Sequence, residues 1–114
     1  MKLITAIIRP EKLNEVQTAL DDMNCNRLTY TEVHGYGQQK GHKEIFRGAE
    51  YEIKYVQKVK IEIAINDSDC DKVIDVIMNT ARTNNGKVGD GKIFVSDLSE
   101  VIRIRTGEKG ESAI

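Results

Sequence analysis

The sequence predicts an α+β domain with the element order β-α-β-β-α-β, and three observations carry that prediction. Apolar residues recur at helical spacing in two stretches, Leu13, Val16, Leu20 and Met23, then Cys70, Val73, Ile74, Ile77, Met78 and Ala81. Four shorter runs, one before the first stripe, two between the stripes and one after the second, have strand character. The whole is 114 residues long, which suits one domain with a real core, 1–114, and leaves no room for a second.

Taken in order, Leu3 to Ile8 is apolar on both faces, the pattern of a central strand covered on two sides. Pro10 suits the first turn of a helix, and the first stripe follows with Glu11, Lys12, Glu15 and Asp21 outward. Asn24 to Arg27 is the turn into a second strand, Leu28 to Val33, rich in β-formers. In the third strand Val59, Ile61, Ile63 and Ile65 alternate with Lys58, Lys60, Glu62 and Ala64, the two-residue period of a half-buried strand. Ser68 and Asp71 have capping-box spacing at the start of the second helix. A glycine-rich turn then leads to a fourth strand, Ile93 to Ser96. There are no repeats, low-complexity segments or linkers. This order is the split-βαβ, or ferredoxin-like, arrangement, a four-stranded antiparallel sheet with both helices on one face. The apolar second side of strand one implies self-association through the other face; the plainer alternative is that the C-terminal segment crosses it.

Between the second and third strands lies the stretch Gly35 to Lys58, polar, with four glycines and nothing apolar enough for a core. Loops beyond roughly 12–15 residues in a compact domain are usually functional or disordered. The rest of the chain reads as a scaffold for this one.

Composition narrows the function. Charged residues make up 31% and the net charge is -1, so no global field points to nucleic acid or to a membrane surface. A nucleic-acid module on this sheet would also want exposed aromatics, and the chain has two Phe, four Tyr and no Trp. Cys25 and Cys70 show no metal or redox spacing, and Cys70 falls on a core stripe. Met1-Lys2 leads directly into the first strand without a signal-peptide pattern, so a cytoplasmic protein is expected.

Three polar segments are candidates for chemistry. Gly86, Gly89 and Gly91, with Lys87, Asp90 and Lys92, allow backbone N–H groups and point charges to converge on an anion. The spacing is not that of a Walker A loop, and by itself such a turn is more often a connector. In Val101-Ile102-Arg103-Ile104-Arg105 an extended backbone would put Arg103 and Arg105 on one face, roughly 6–7 Å apart, which suits a polyphosphate. An ordinary edge strand explains the same pattern. Lys58 adds a third basic segment, and three together favour a shared anionic ligand. His34 and His42 have no nucleophile or ligand partners at a suggestive spacing, and no catalytic constellation appears. A phosphate-handling hydrolase of this fold would need an arginine in a glycine-rich turn after strand one, and Arg9-Pro10-Glu11 offers none.

At this point five motifs, in order, match one family: G-Y-G-Q-Q-K-G-H at 35–42, F-R-G-A-E-Y at 46–51, K-V-K-I-E at 58–62, G-D-G-K-I-F-V at 89–95 and V-I-R-I-R-T-G-E at 101–108. Over essentially its full length the chain resembles the PII nitrogen-regulatory signal proteins. The resemblance implies a regulatory protein and not an enzyme: a homotrimer that binds ATP or ADP in the clefts between subunits and, with Mg²⁺ and ATP, 2-oxoglutarate. The long loop, about 37–55, corresponds to the T-loop, about 83–92 to the B-loop and about 103–110 to the C-loop. By matching position, the nucleotide residues are Thr29, Gly37, Gln38, Gln39, Glu62, Ala64, Gly89, Asp90, Gly91, Lys92, Arg103 and Arg105. Gln39, Lys40, Gly41 and Lys58 would hold 2-oxoglutarate, with Gln39 also the Mg²⁺ ligand. Tyr51 is the position a nucleotidylyltransferase modifies in relatives, and Arg47 the loop-tip arginine that contacts an ammonium transporter. Implied partners are that transporter, which is the only route to a membrane, or an enzyme of nitrogen metabolism. The chain departs from the family pattern at Phe46 (usually tyrosine), Gln38 (commonly arginine), Ala49 (a phosphorylatable serine in some relatives) and in a turn about two residues longer between Thr83 and Gly89.

Overall fold

The structure is a computed structural model that describes residues 1–37 and 55–114, together with the backbone of two short strands, Lys43–Phe46 and Ala49–Glu52, between them. Strands β1 (Lys2–Ile8), β2 (Thr29–Gly35), β5 (Val56–Ile65) and β6 (Lys92–Asp97) form one antiparallel sheet in the order β2-β5-β1-β6. Helices α1 (Leu13–Asp22) and α2 (Asp67–Ala81) lie on one face of it. This is the α+β arrangement the periodicity predicts, with β1 at the centre.

Register divides the side chains. Ile4 stands opposite Ile63 and Ala6 opposite Ile61, and with Ile8, Val59 and Ile65 they face the helices. Val16 and Leu20 of α1 and Cys70, Val73, Ile77 and Ala81 of α2 complete that core. Fully burying an Ile or Leu side chain stabilises by roughly 1.5–3 kcal/mol, so this single layer carries the fold. The same register puts Leu3, Thr5 and Ile7 of β1, Lys58, Lys60, Glu62 and Ala64 of β5, Thr29 and Val33 of β2 and Phe94 of β6 on the opposite, open face. Leu3 and Ile7 are half-buried there and Phe94 is exposed. At the end of the C-terminal segment Ile114 lies beside Met23, Cys25 and Val73, with its carbonyl accepting from Arg27 at 2.7 Å.

The boundaries have local causes. Arg9 is extended (φ -65°, ψ 139°), as a residue before proline must be, and Pro10 opens a tight turn that runs into α1. At the other end Asn24 takes a left-handed conformation (φ 61°), and Cys25 N bonds to Leu20 O while Asn24 N bonds to Asp21 O. That pair of bonds is a Schellman stop, with Asn in the place of the usual glycine. The N-cap of α2 is Asn66, two residues before the Ser68 of the expected capping box and without a side-chain cap bond, and Asp67 pairs with the Met1 ammonium at 2.8 Å. Both cysteines are free thiols.

Two readings of the sequence are corrected. The polar excursion contains a hairpin, β3 (Lys43–Phe46) against β4 (Ala49–Glu52), paired from Lys43 with Glu52 to Phe46 with Ala49. Strands without an apolar face leave no period to find. And 101–105 is not an extended strand that puts Arg103 and Arg105 on one face. Ile102 bridges to Lys109, and Gly107 N closes a turn on Arg103 O at 2.7 Å. Gly107, at φ 73°, allows that reversal.

Candidate functional site

The site forms where the end of β1, the start of β5 and the glycine-rich turn after α2 meet. A cavity of about 530 Å³ lies there, walled by Gly35 to Gly37 and Val56 from the two legs of the long excursion, by Lys58, and by the turn from Lys87 to Lys92. Gly89 and Gly91 have φ of 104° and 107°, which L side chains rarely adopt. A Cβ on Gly91 would also run into the carbonyl oxygen of Ile7, so the turn packs backbone against backbone on the end of β1. With no side chain at either position, the peptide groups themselves line the cavity.

Asp90 gathers the turn together. Its carboxylate accepts from Thr83 N (3.0 Å), Thr83 Oγ1 (2.9 Å), Lys87 N (3.0 Å) and Arg9 Nε (3.0 Å). Burial alone would push this carboxyl up; the bonds from Lys87, Arg9 and Thr83 overcome that and hold it far below the ordinary carboxylate range. Arg9 also donates from Nη2 to Val88 O at 3.0 Å. Upstream, Gly86 N closes a turn on Thr83 O at 2.9 Å.

Lys58 reaches the same place from the sheet. It belongs to the open face of β5, yet is only 7% exposed, and its ammonium donates to Gly89 O. Burial, and next the Arg9 charge, lower its pKa from the ordinary lysine value. Lys87 and Lys92 also line the cavity. Three ammonium groups, glycine peptides and a carboxylate already saturated with donors make an anion cleft.

Of the residues expected from the sequence, Gly37, Lys58, Gly89, Asp90, Gly91 and Lys92 come together here. Thr29, Glu62 and Ala64 lie on the same open face but farther along: Thr29 pairs with Glu62, and four residues of strand separate Glu62 from Lys58, about 13 Å. Arg103 and Arg105 do not reach the cleft in this chain. Arg103 is held by Glu108 at 3.0 Å and Ser112 O at 3.0 Å, and Arg105 is exposed. Gln38, Gln39, Lys40, Gly41 and Arg47 lie outside the described residues, as does the Tyr51 side chain, although Tyr51 itself stands opposite Glu44 in β4. Among the described residues no three His, Cys, Asp or Glu side chains are placed to hold a metal, and no helix is long and apolar enough to cross a membrane.

Sequence reasoning missed Arg9, Thr83 and Tyr36. Tyr36 sits on the cavity rim with its ring 5.7 Å from that of Tyr55, pinning the two legs of the excursion where they leave the sheet. No spacing links Arg9 to Asp90, 81 positions away; only the antiparallel pairing of β1 with β6 brings them together.

The family described as "Nitrogen regulatory protein P-II" matches residues 1–108. The chain is 54% identical over 114 residues, the whole of both proteins, to "Nitrogen regulatory protein GlnK" of Escherichia coli strain K12. It is 54% identical, again end to end, to "Nitrogen regulatory protein P-II" of Pasteurella multocida strain Pm70, and 53% identical to that of Rhizobium meliloti strain 1021.

Proposed function

Since the chain belongs to the P-II nitrogen regulatory proteins, we propose that it works as a ligand-read switch within nitrogen regulation. Its ligands are ATP or ADP and, with Mg²⁺ and ATP, 2-oxoglutarate. Its output is the conformation of the long loop between β2 and β5, which a target protein recognises. An ammonium transporter or an enzyme of nitrogen assimilation is the target class, with Arg47 at the contact and Tyr51 open to nucleotidylylation. Bond-making is not part of this role.

The observation that carries the proposal is that one cavity is walled by both legs of the long loop and by the glycine-rich turn. Whatever binds there touches the loop where it leaves the sheet. The donor set fits a polyphosphate, with Lys87, Lys92 and glycine peptides lining the cavity and Lys58 beside them for a carboxylate of the keto acid. Thr29 and Glu62, about 13 Å along the open face, and Ala64, about 20 Å along it, are at distances suited to the base end of an extended nucleotide. Gln39 would supply an oxygen to Mg²⁺, with Lys40 and Gly41 beside the keto acid. Arg103 and Arg105, away from the cleft in their own chain, would enter a neighbouring subunit's cleft in a homotrimer closed through the open faces. A ligand moves the loop only as far as it binds two loop conformations with different affinity. ADP lacks the γ-phosphate and so discriminates between them differently from ATP.

Calorimetry tests this. ATP with Mg²⁺ should bind the purified protein, and 2-oxoglutarate only when both are present. In Lys58→Ala the keto acid should bind at least tenfold more weakly, because a charge-assisted bond is lost, while ATP keeps most of its affinity. Absence of any nucleotide binding would overturn the proposal; normal keto-acid binding by Lys58→Ala would overturn the role given to that lysine.

A further inference from the structure

The proposal above needs a glycine turn that keeps one shape before its ligand arrives, yet nothing in a run of glycines supplies that. Gly86, Gly89 and Gly91 each have more backbone freedom than any other residue type, and ordering them at the moment of binding would cost affinity. The restraint has to come from outside the turn. Within it, Asp90 is held by Thr83 and Lys87, which belong to the same connection between α2 and β6 and can move with it. Arg9 is different. It follows directly on β1, the central strand, and its two bonds go to separate points of the turn: Nε to the Asp90 carboxylate, Nη2 to the Val88 carbonyl, 3.0 Å each. Both partners of the Arg9–Asp90 pair are less than one-fifth exposed, at 16% and 17%. The bonded atoms flank Gly89, the residue whose carbonyl receives Lys58.

We propose that Arg9 is a positioning residue for anion binding at the Gly89–Lys92 turn, a two-pronged tie that fixes the glycine backbone to the end of β1. The inference rests on the turn being the phosphate site. Arg9 has its Nε and Nη2 donors committed to the protein and its charge balanced by Asp90, so it acts on the anion through the turn. Guanidinium geometry matters, because the two acceptors are met by two nitrogens of one rigid fork. A lysine at this position keeps the charge and offers one nitrogen for both.

The test is ATP binding by calorimetry on the full-length protein, for wild type, Arg9→Ala, Arg9→Lys, Asp90→Asn and the double variant Arg9→Ala with Asp90→Asn. Arg9→Ala should weaken ATP on the order of tenfold, and Arg9→Lys should recover only part of that. In the double variant the loss should be close to that of the more affected single variant, since both cut one tie. Hydrogen exchange in the ligand-free protein gives an independent readout: the amides of Gly89, Asp90 and Gly91 should exchange faster in Arg9→Ala and Arg9→Lys, while those of Ile61 and Ile63 stay protected. Equal ATP affinity in Arg9→Ala, or unchanged exchange at the turn, overturns the proposal and leaves the phosphate site standing. A full effect of Arg9→Ala that persists in the Asp90→Asn background, with full rescue by Arg9→Lys, also overturns it, because Arg9 would then meet the anion as a charge. Should wild type bind no nucleotide while exchange at the turn still responds to Arg9, the phosphate site itself fails. If the Asp90 variants do not fold, Arg9→Lys and the exchange data decide alone.

Discussion

Asp90 is an acid in the middle of a proposed phosphate cradle, and its surroundings remove the contradiction. Four donors from Arg9, Thr83 and Lys87 converge on its two oxygens, so its charge is balanced within the protein. Those bonds exist to the carboxylate and weaken when it is protonated, which ties stability to pH. The folded-state value lies far below the ordinary one of about 3.9, so the contribution is complete above pH 4–5 and is lost as pH falls through that value toward the folded one. Chemical denaturation of the ligand-free protein should therefore show wild type more stable than Asp90→Asn at pH 7, by on the order of 1–3 kcal/mol. The gap should narrow steadily between pH 4 and pH 2; a gap constant over that range would mean the carboxylate charge is not what holds the turn. The sequence made Asp90 visible as part of a Gly-Asp-Gly turn, and Lys58 as an outward position of a strand. It gave no hint that Asp90 serves the turn's shape or that Lys58 is buried, because both facts depend on Arg9 and Gly89 approaching from distant parts of the chain.

Elements with an apolar face were legible and those without one were not. Both helices and β5 announced themselves through periods set by burial against the core, β1 through a run apolar on both faces, and β2 through its β-forming residues. The β3–β4 hairpin pairs through its backbone, and the turn after Ile102 is closed by backbone bonds and the polar side chains of Arg103, Thr106 and Glu108, none of which leaves a trace in hydrophobicity. The hairpin pairs within itself and its two strands form their own sheet. It is thus an output element carried by the fold and not needed for it. Removing 43–53 should leave a cooperatively folding protein with a midpoint within about 5 °C of wild type, since shortening a loop changes closure entropy only slowly. That variant should still bind ATP and fail to engage the target in a pull-down. A deletion that abolishes the thermal transition would show the hairpin to be structural.

At the scale of the molecule, the helices protect one side of the sheet, while the other carries Leu3, Ile7 and Phe94 with little over them. The apolar pattern of β1 on both sides calls for a covering on this face as well, and the proposed homotrimer would supply it. Phe94, 54% exposed on an edge strand, is the place to test it. Phe94→Glu should lower the mass measured by light scattering toward that of one chain, with an unchanged circular dichroism spectrum, because an unpaired charge at an apolar contact costs several kcal/mol. A wild-type protein that is monomeric at micromolar concentration would remove the need for any such contact. Strand β5 has a consequence for how this chain can change over generations. Its odd-numbered positions from Val59 to Ile65 hold the core and its even-numbered ones from Lys58 to Ala64 lie on the open face, where the proposed ligands would bind. Gaining or losing one codon inside it would turn the lysines and Glu62 toward the helices and the isoleucines toward the cleft, ruining folding and sensing together. Heritable length variation is therefore confined to the connections, such as the turn between Thr83 and Gly89.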